Sequence, residues 1–224
     1  MNIELARFNM IEQQIRPWEV LDASVLSLLA AVKREEFVPA HLRALAFVDT
    51  QVPLAPGSPA GQCMLEPKVE ARLLQELAVQ RHEKVLEIGT GSGFMAALLA
   101  HRVMQVITLE CVPELVDLAR ANLRHCGLVD VNVLEVTAEE GALGLPGEAP
   151  FDAIVLSGSV ALLPQALLRQ LKVGGRLAAI IGDEPVMRAR LITRVGEADW
   201  SDADLFDTVA PRLLAFAEPT RFRF

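Results

Sequence analysis

Residues 85–93 restrict the fold of this chain more than any other part of the sequence. β-forming residues lead into the acidic side chain of Glu87, and an apolar run follows the segment. Between them, glycines stand at alternate positions: Gly89, Gly91 and Gly93. Glycine adopts positive φ in tight turns and lets a ligand approach the backbone closely. The segment therefore predicts a strand, a tight turn and a helix start, the part of an α/β sheet where nucleotide-like ligands dock.

Strands and helices alternate from Lys84 onward. The predicted strands are 84–88, 105–109, 131–136, 151–156, 175–182, 188–195 and 204–216, the last interrupted near Pro211. The predicted helices are 93–101, 113–125, 139–143 and 164–171. This alternation indicates right-handed crossovers and a parallel sheet. Because no helix separates the last strands, we expect an α/β fold with a doubly wound, mostly parallel seven-stranded sheet and an antiparallel edge.

The first 80 residues have a different pattern. Helical apolar spacing covers 3–15, 22–33 and 67–79, and a loop rich in proline and glycine covers 49–67. We expect 1–80 to form an N-terminal helical cover that carries a substrate-facing loop, and 81–224 to form the cofactor-binding α/β domain. Four apolar residues of the cover are expected to serve packing: Met10, Ile11, Ile15 and Trp18.

Composition excludes several classes of protein. The chain has 224 residues, of which 21 are basic and 29 acidic, and its net charge of −8 argues against a nucleic-acid partner. Its three cysteines and four histidines have neither CxxC nor metal-site spacing. We see no signal-peptide pattern and no membrane-spanning run. The expectation is a cytoplasmic protein with no metal and no membrane partner, while the oligomeric state is left open.

Acidic and small side chains follow successive predicted strands. They are Glu110 with Cys111 after the second strand, Glu139 and Glu140 after the third, and Ser157 after the fourth. Carboxyl ends of parallel strands meet at one edge of a sheet, so these side chains predict a single ligand site. A carboxylate at Glu110 can accept hydrogen bonds from both hydroxyls of a ribose, and an acid after the third strand can accept one from an adenine amino group.

A dinucleotide is the first alternative ligand. Its fingerprint is G-x-G-x-x-G with a pyrophosphate at the helix N-terminus, whereas the spacing here is G-x-G-x-G. S-adenosylmethionine has no phosphate, and its ammonium group would be favoured by an acid such as Glu87. The acidic edge therefore favours S-adenosylmethionine as the cofactor.

Several stretches of sequence carry a family resemblance. They are Glu87-Ile-Gly-Thr-Gly-Ser-Gly93, Glu110-x-x-Pro113-Glu114-Leu115, Met10-Ile-Glu-Gln-Gln-Ile15, Phe37-Val38-Pro39 and Ala149-Pro150-Phe151-Asp152-Ala153-Ile154. With them the chain resembles the class I methyltransferases and, more narrowly, the protein-L-isoaspartate O-methyltransferases. The resemblance extends from about residue 8 to about residue 217.

The resemblance implies a repair enzyme with a protein or peptide substrate. Such enzymes methylate the α-carboxylate of L-isoaspartyl residues in damaged proteins, and the ester then cyclises to a succinimide. The resemblance also implies that Glu110 holds the ribose of S-adenosylmethionine and that Glu139 and Glu140 border its adenine. The residues implied to wrap the cofactor are Gly89, Thr90, Gly91 and Gly93. The chemistry needs no strong base, because a carboxylate nucleophile is already ionised at neutral pH.

The loop before the third predicted helix departs from the family pattern. The family has a Gly-Gln-Thr-Ile-Ser-Gln-Pro-like segment whose serine lies by the reacting carboxylate. Leu65 replaces that serine here, and leucine cannot hydrogen-bond a carboxylate. Glu66 adds a negative charge nearby, which would repel an anionic substrate unless a cation such as Lys68 pairs with it. The substrate loop consists of Gln62, Cys63, Met64, Leu65, Glu66 and Pro67.

Three functions therefore stay open at this point. The first is an isoaspartyl methyltransferase that tolerates Leu65, and the second is a methyltransferase that acts on another acceptor. The third is a non-catalytic cofactor-binding protein. The C-terminal aromatic residues are a further open question, because they either dock on the body or contact another chain: Phe216, Phe222 and Phe224.

Overall fold

The computed structural model describes residues 2–55, 57 and 61–220. Two short strands precede the main sheet, and seven longer ones form it. The strands are β1 Val52–Pro53, β2 Cys63–Met64, β3 Lys84–Ile88, β4 Gln105–Glu110, β5 Asn132–Glu135, β6 Phe151–Val160, β7 Leu171–Asp183, β8 Val186–Arg194 and β9 Trp200–Thr208.

The α-helices lie before and between these strands. They are α1 Ile3–Met10, α2 Ala23–Ala31, α3 Pro67–Leu77, α4 Phe94–Ala100, α5 Pro113–His125, α6 Ala138–Leu143 and α7 Gln165–Leu168. Two of them, α3 and α5, begin at a proline. Proline is tolerated there because a backbone N–H in the first turn would have no partner within the helix, so its absence costs no hydrogen bond. Asp22 caps α2, since its carboxylate accepts from the backbone N–H groups of Ser24 and Val25.

The main sheet has the strand order β5-β4-β3-β6-β7-β8-β9. The pairs from β5 to β7 are parallel, whereas β8 is antiparallel to both β7 and β9. This arrangement confirms the predicted mostly parallel seven-stranded sheet with an antiparallel edge. The strand order reverses between β3 and β6, and ligands of open α/β sheets bind in the crevice at such a point. The glycine turn begins at the carboxyl end of β3 and therefore lies in this crevice.

The predicted strand 204–216 is confirmed over 204–208, which belong to β9, and is wrong beyond Thr208. β9 ends at Thr208, and the residues after it cross to the carboxyl end of β6. There Ser159 N–H donates to the Pro211 carbonyl at 2.7 Å, and Leu213 N–H donates to the Ser159 carbonyl at 2.9 Å. Proline has no N–H to continue a ladder, so the chain leaves the sheet edge near Pro211.

Two predicted helices also differ from the structure. In place of helix 164–171, only Gln165–Leu168 is helical, because β7 begins at Leu171 and pairs there with Phe151. In place of one helix over 3–15, α1 ends at Met10 and a π-helical turn follows at Ile11–Ile15. Both differences lie at element boundaries, which local sequence pattern specifies weakly.

The N-terminal residues pack into the same hydrophobic core as the sheet. Met10, Ile11 and Ile15 are buried in the cluster that also contains Val85 and Ala178 of the sheet. Half-buried Trp18 meets the ring of Phe206 edge-on, with 5.6 Å between the ring centroids. The interpretation of these residues as packing residues is confirmed.

The C-terminal segment, residues 209–220, docks on the body of the protein. Phe216 is 7% exposed and belongs to a core cluster that includes Leu86, Ile88 and Leu156. Phe222 and Phe224 lie outside the described residues. The sequence left open whether these aromatic residues dock on the body or contact another chain. Phe216 docks on the body.

None of the helices in residues 2–55, 57 and 61–220 is both long enough and apolar enough to cross a bilayer.

We expect Phe216→Ala to lower the free energy of unfolding by about 3 kcal/mol, because it removes a buried aromatic ring and leaves a cavity. Leu214→Ala is the matched control, since Leu214 lies in the same segment but is 58% exposed, and its loss should cost under about 0.5 kcal/mol. Urea unfolding measures both values. Equal effects of the two substitutions would contradict the docking of this segment.

Candidate functional site

A cavity of about 270 Å³ lies at the crevice where the strand order reverses. Its walls come from the glycine turn, the end of β4, the start of α6, the substrate loop and the C-terminal segment. Predicted site residues that line it are Gln62, Cys63, Gly89, Gly91, Glu110, Cys111 and Ser157. The structure therefore brings together, at one site, residues that are up to 95 positions apart in the chain.

The glycine turn is held against the neighbouring strand by its own backbone. The N–H groups of Gly89 and Thr90 donate to the Leu109 carbonyl at 2.9 and 3.2 Å. Gly89 and Gly91 have φ of +92° and +55°, in the left-handed region that favours glycine. A Cβ at Gly89 would stand 2.8 Å from Leu213 Cδ2. The turn thus requires glycine both for its conformation and for space.

Glu110 is fixed at the end of β4 by three backbone amides. Its Oε2 accepts from Gly91 N–H at 2.8 Å, and its Oε1 accepts from Cys111 N–H at 2.9 Å and Val112 N–H at 3.1 Å. The residue is only 6% exposed, yet it lines the cavity. A carboxylate has about four acceptor positions, so it retains capacity for a donor from a ligand.

Glu87 lies beneath the turn and is fully buried. Its Oε1 accepts from Ser157 Oγ at 2.6 Å, and its Oε2 accepts from Thr108 Oγ1 at 2.8 Å. Burial raises the pKa of the Glu87 carboxyl to about 8, against the opposing effect of these hydroxyl donors. Thr90 extends the network, because its hydroxyl lies 2.6 Å from that of Thr108.

The substrate loop divides between two cavities. Gln62 lines the larger cavity, and Met64 and Leu65 line a smaller one on the other side of the glycine turn, whereas Cys63 lines both. Cys63 Sγ donates to Gln51 Oε1 at 3.5 Å, and burial raises the pKa of its thiol to about 11. A thiol in this state is a poor nucleophile at neutral pH.

Glu66 and Pro67 lie outside both cavities. Pro67 begins α3, and Glu66 Oε1 accepts from Gln51 Nε2 at 3.3 Å. The cation suggested for Glu66 is engaged elsewhere, because Lys68 Nζ lies 2.6 Å from Asp49 Oδ2 and 4.1 Å from the centroid of the Trp18 ring.

Glu139 and Glu140 are exposed at the start of α6. Glu140 forms a capping box with Thr137, whose N–H donates to the Glu140 carboxylate at 2.8 Å. The cavity wall at this point consists of the adjacent Ala138 and Gly141. Glu139 lies near enough to contribute to the raised pKa of the Cys111 thiol, behind burial and Glu110. That these two acids border an adenine stays a prediction.

Gly93 lies away from both cavities. A Cβ there would stand 3.3 Å from Leu123 Cγ and 3.4 Å from Ala119 Cβ, so glycine allows α4 to pack closely on α5. Its predicted contact with the cofactor stays a prediction.

Sequence reasoning missed several contributions to the site, of which three bear on its chemistry and shape. Leu213 and Phe216 line the larger cavity from the C-terminal segment, and Glu70 lines the smaller one from α3. For Leu213 and Phe216, the apolar composition of the C-terminal segment was a sign that it packs against the rest of the protein. Glu70 gave no signal, because an acid in an amphipathic helix is ordinarily a solvated side chain.

Comparison with known proteins identifies the family. The model of the family described as "Protein-L-isoaspartate(D-aspartate) O-methyltransferase (PCMT)" matches residues 6–207. This chain belongs to that family. Among its PCMT relatives is protein-L-isoaspartate O-methyltransferase 2 of Marinobacter nauticus, 38% identical over 199 residues that cover 88% of each chain. Another is a protein-L-isoaspartate O-methyltransferase of Rhodopseudomonas palustris, 39% identical over 199 residues with 88% of each chain covered.

Solved PCMT structures have the same fold. One protein-L-isoaspartate O-methyltransferase matches with a TM-score of 0.79 at 20% identity, over 95% of this chain and 66% of that one. A PCMT structure from Plasmodium falciparum, determined in complex with S-adenosyl-L-homocysteine, matches with a TM-score of 0.74 at 20% identity. That match covers 92% of this chain and 97% of the other.

The residues of the larger cavity fit S-adenosylmethionine, the cofactor of the PCMT family. A Cβ at Gly89 or Gly91 would approach Leu213 or Leu54, which both line the cavity, so the turn leaves open the space that side chains would occupy. Apolar side chains such as Leu115 and Val136 can face an adenine, while Glu110 supplies a fixed acceptor for hydroxyl groups.

We expect the stability gained from Glu87 to decrease with rising pH. The folded chain keeps the proton of this carboxyl up to about pH 8, whereas the unfolded chain releases it near the ordinary value of 4.5. The contribution is therefore complete below pH 4.5 and is lost as pH rises to about 8. The difference in unfolding free energy between the native chain and Glu87→Gln should fall by at most about 1.4 kcal/mol per pH unit over this interval.

Urea unfolding between pH 5 and pH 8 measures this difference. Glu139→Gln, which changes an exposed carboxyl, is the control and should leave the pH dependence unchanged. A difference for Glu87→Gln that did not vary with pH would contradict the raised pKa.

Proposed function

We propose that this chain transfers the methyl group of S-adenosylmethionine to the carboxylate of L-isoaspartyl residues in damaged proteins. One observation carries the proposal: a chain whose sequence matches the PCMT family over residues 6–207 forms a cavity between its glycine turn and Glu110. Its curated relatives bear the name of this activity at 37–39% identity over most of their length. The proposed cytoplasmic location is supported by three free thiols, Cys63, Cys111 and Cys126.

The cofactor would lie between the glycine turn and the end of β4. Gly89 and Gly91 allow it to approach the backbone, and Glu110 would accept hydrogen bonds from the ribose hydroxyls. Cys111, Ala138 and Gly141 line the side where the adenine would lie, with Glu139 and Glu140 just outside. S-adenosylmethionine supplies a methyl group on a sulfonium, which is itself a good leaving group.

The chain's own contribution to the reaction is positioning. The acceptor carboxylate is already ionised at neutral pH, so no side chain has to remove a proton. The buried loop residue Leu65 and the C-terminal residue Leu213 surround the turn with apolar surface that excludes water. Arg34 holds the loop in place, because its Nη2 donates to the Leu65 carbonyl at 2.6 Å. Such alignment can lower the barrier of an in-line transfer without a catalytic base.

A methyl-transfer assay tests the proposal. S-adenosylmethionine with a labelled methyl group is incubated with a peptide that contains one L-isoaspartyl residue, and with the same peptide that contains L-aspartate. We expect an alkali-labile methyl ester only on the isoaspartyl peptide. Cofactor binding without transfer to this peptide would contradict the proposed acceptor, and no cofactor binding would contradict the assignment as a whole.

The same assay is extended by a matched pair of variants. Glu110→Ala should weaken cofactor affinity tenfold or more, because it removes a charged acceptor of hydrogen bonds. Glu135→Ala is the control, since this exposed acid is the register partner of Glu110 on the adjacent strand and should leave affinity unchanged. Equal effects of the two would contradict the role of Glu110.

We expect Leu65→Ser to leave the rate of isoaspartyl methylation unchanged or to raise it. The substitution restores a hydroxyl that can donate to the acceptor carboxylate. Because Leu65 is 4% exposed, the variant should also lose about 2 kcal/mol of stability. Urea unfolding separates this loss from the activity, which is measured well below the unfolding midpoint. A sharp fall in the rate of the folded variant would contradict the placement of this loop beside the acceptor.

A further inference from the structure

A second cavity, of about 20 Å³, lies on the opposite side of the glycine turn from the larger one. The two cavities share the wall formed by Cys63, Gly89, Gly91 and Ser157. A ligand that crosses the turn would therefore have one end in each. A volume of this size holds one water-sized group. The smaller cavity is thus suited to a single small polar end of the ligand.

Two carboxyl side chains face this small cavity. Glu87 reaches it from the end of β3, and Glu70 reaches it from α3. Both are buried, with exposed fractions of 0% and 6%. The charge of Glu70 contributes to the raised pKa of Glu87, and burial raises the pKa of Glu70 itself to about 7. Two buried acids that line one small cavity favour either a bound proton or a bound cation between them.

Arg34 fixes Glu70 without filling the cavity. Its Nη1 donates to Glu70 Oε2, and its Nη2 donates to the Leu65 carbonyl at 2.6 Å. The guanidinium lies 5.0 Å from the centroid of the Phe94 ring, behind the cavity wall. Its single positive charge balances one of the two carboxylates. If both acids ionise, one negative charge is unbalanced, so the entry of an ammonium group would favour release of the proton that the pair otherwise keeps.

We propose that Glu70 is a second carboxylate that binds the α-ammonium group of the methyl donor, opposite Glu87. The inference rests on the proposed function, which places the donor in the larger cavity beside the glycine turn; the amino-acid part of the donor would then reach past the turn into the smaller cavity. Glu70 then selects donors that carry the amino group. It is a binding residue for the donor and takes no part in recognition of the protein substrate.

A thermodynamic cycle tests this assignment. Isothermal titration calorimetry measures the affinity of the full chain for S-adenosylhomocysteine and for an analogue that lacks only the amino group. In the native chain the analogue should bind at least tenfold more weakly. In Glu70→Gln that gap should shrink to about threefold or less, because one of the two charged partners of the amino group is lost. An unchanged gap in the variant would overturn the proposal.

Glu35→Gln is the matched control. Glu35 is a buried acid that pairs with Arg7, as Glu70 pairs with Arg34, but neither Glu35 nor Arg7 lines either cavity. The control should lose stability as Glu70→Gln does and keep the full gap between the two ligands. A shrunken gap in the control as well would show a general effect of broken ion pairs and would overturn the role of Glu70.

Glu70→Asp serves if Glu70→Gln does not fold. It keeps a carboxylate for Arg34 and withdraws it from the cavity by one methylene, so the gap should still shrink severalfold; a full gap would overturn the proposal. These outcomes differ from a failure of the proposed function. In that case the native chain would bind no S-adenosylhomocysteine, or would bind it and transfer no methyl group to the isoaspartyl peptide.

Discussion

The hydrogen bonds that Glu110 accepts from three backbone amides fix the geometry on which the rest of the site depends. One amide belongs to the glycine turn after β3, and the other two belong to the chain that leaves β4. The carboxylate therefore ties together the adjacent ends of β3 and β4, next to the point where the strand order reverses. Charged acceptors make strong hydrogen bonds to N–H groups. The glycine turn and the chain after β4 are therefore held in position in the ligand-free protein.

The smaller cavity differs from the larger one, because its wall contains buried charged groups. Glu87 and Glu70 are both buried there, with Arg34 as the close cation. Breaking such a buried pair is costly, and the same groups respond strongly to a ligand charge. The chain thus has an apolar and hydrogen-bonded surface in the larger cavity and a surface of charged groups in the smaller one. A donor with adenosine at one end and an ammonium group at the other would match both.

The substrate loop and the C-terminal segment close the crevice from opposite directions. Arg34 holds the backbone of Leu65, and Ser159 holds the segment through Pro211 and Leu213. Both contacts hold backbone groups of the segment, so the hydrogen bond to residue 65 can form with any side chain at that position.

The sequence by itself determined the strand, turn and helix around Gly89, the start of α5 at Pro113 and the α/β sheet. Each of these depends on short-range patterns of hydrophobicity, glycine and proline, which act over a few residues. Only the tertiary structure decided that Glu70 faces Glu87, that Leu213 lies over Gly89 and that Glu140 caps α6 while Ala138 and Gly141 line the cavity. It also decided that residues after Thr208 leave the sheet. These facts depend on contacts between distant parts of the chain, and packing of the whole core selects them because no local pattern distinguishes a buried acid on a helix from a solvated one.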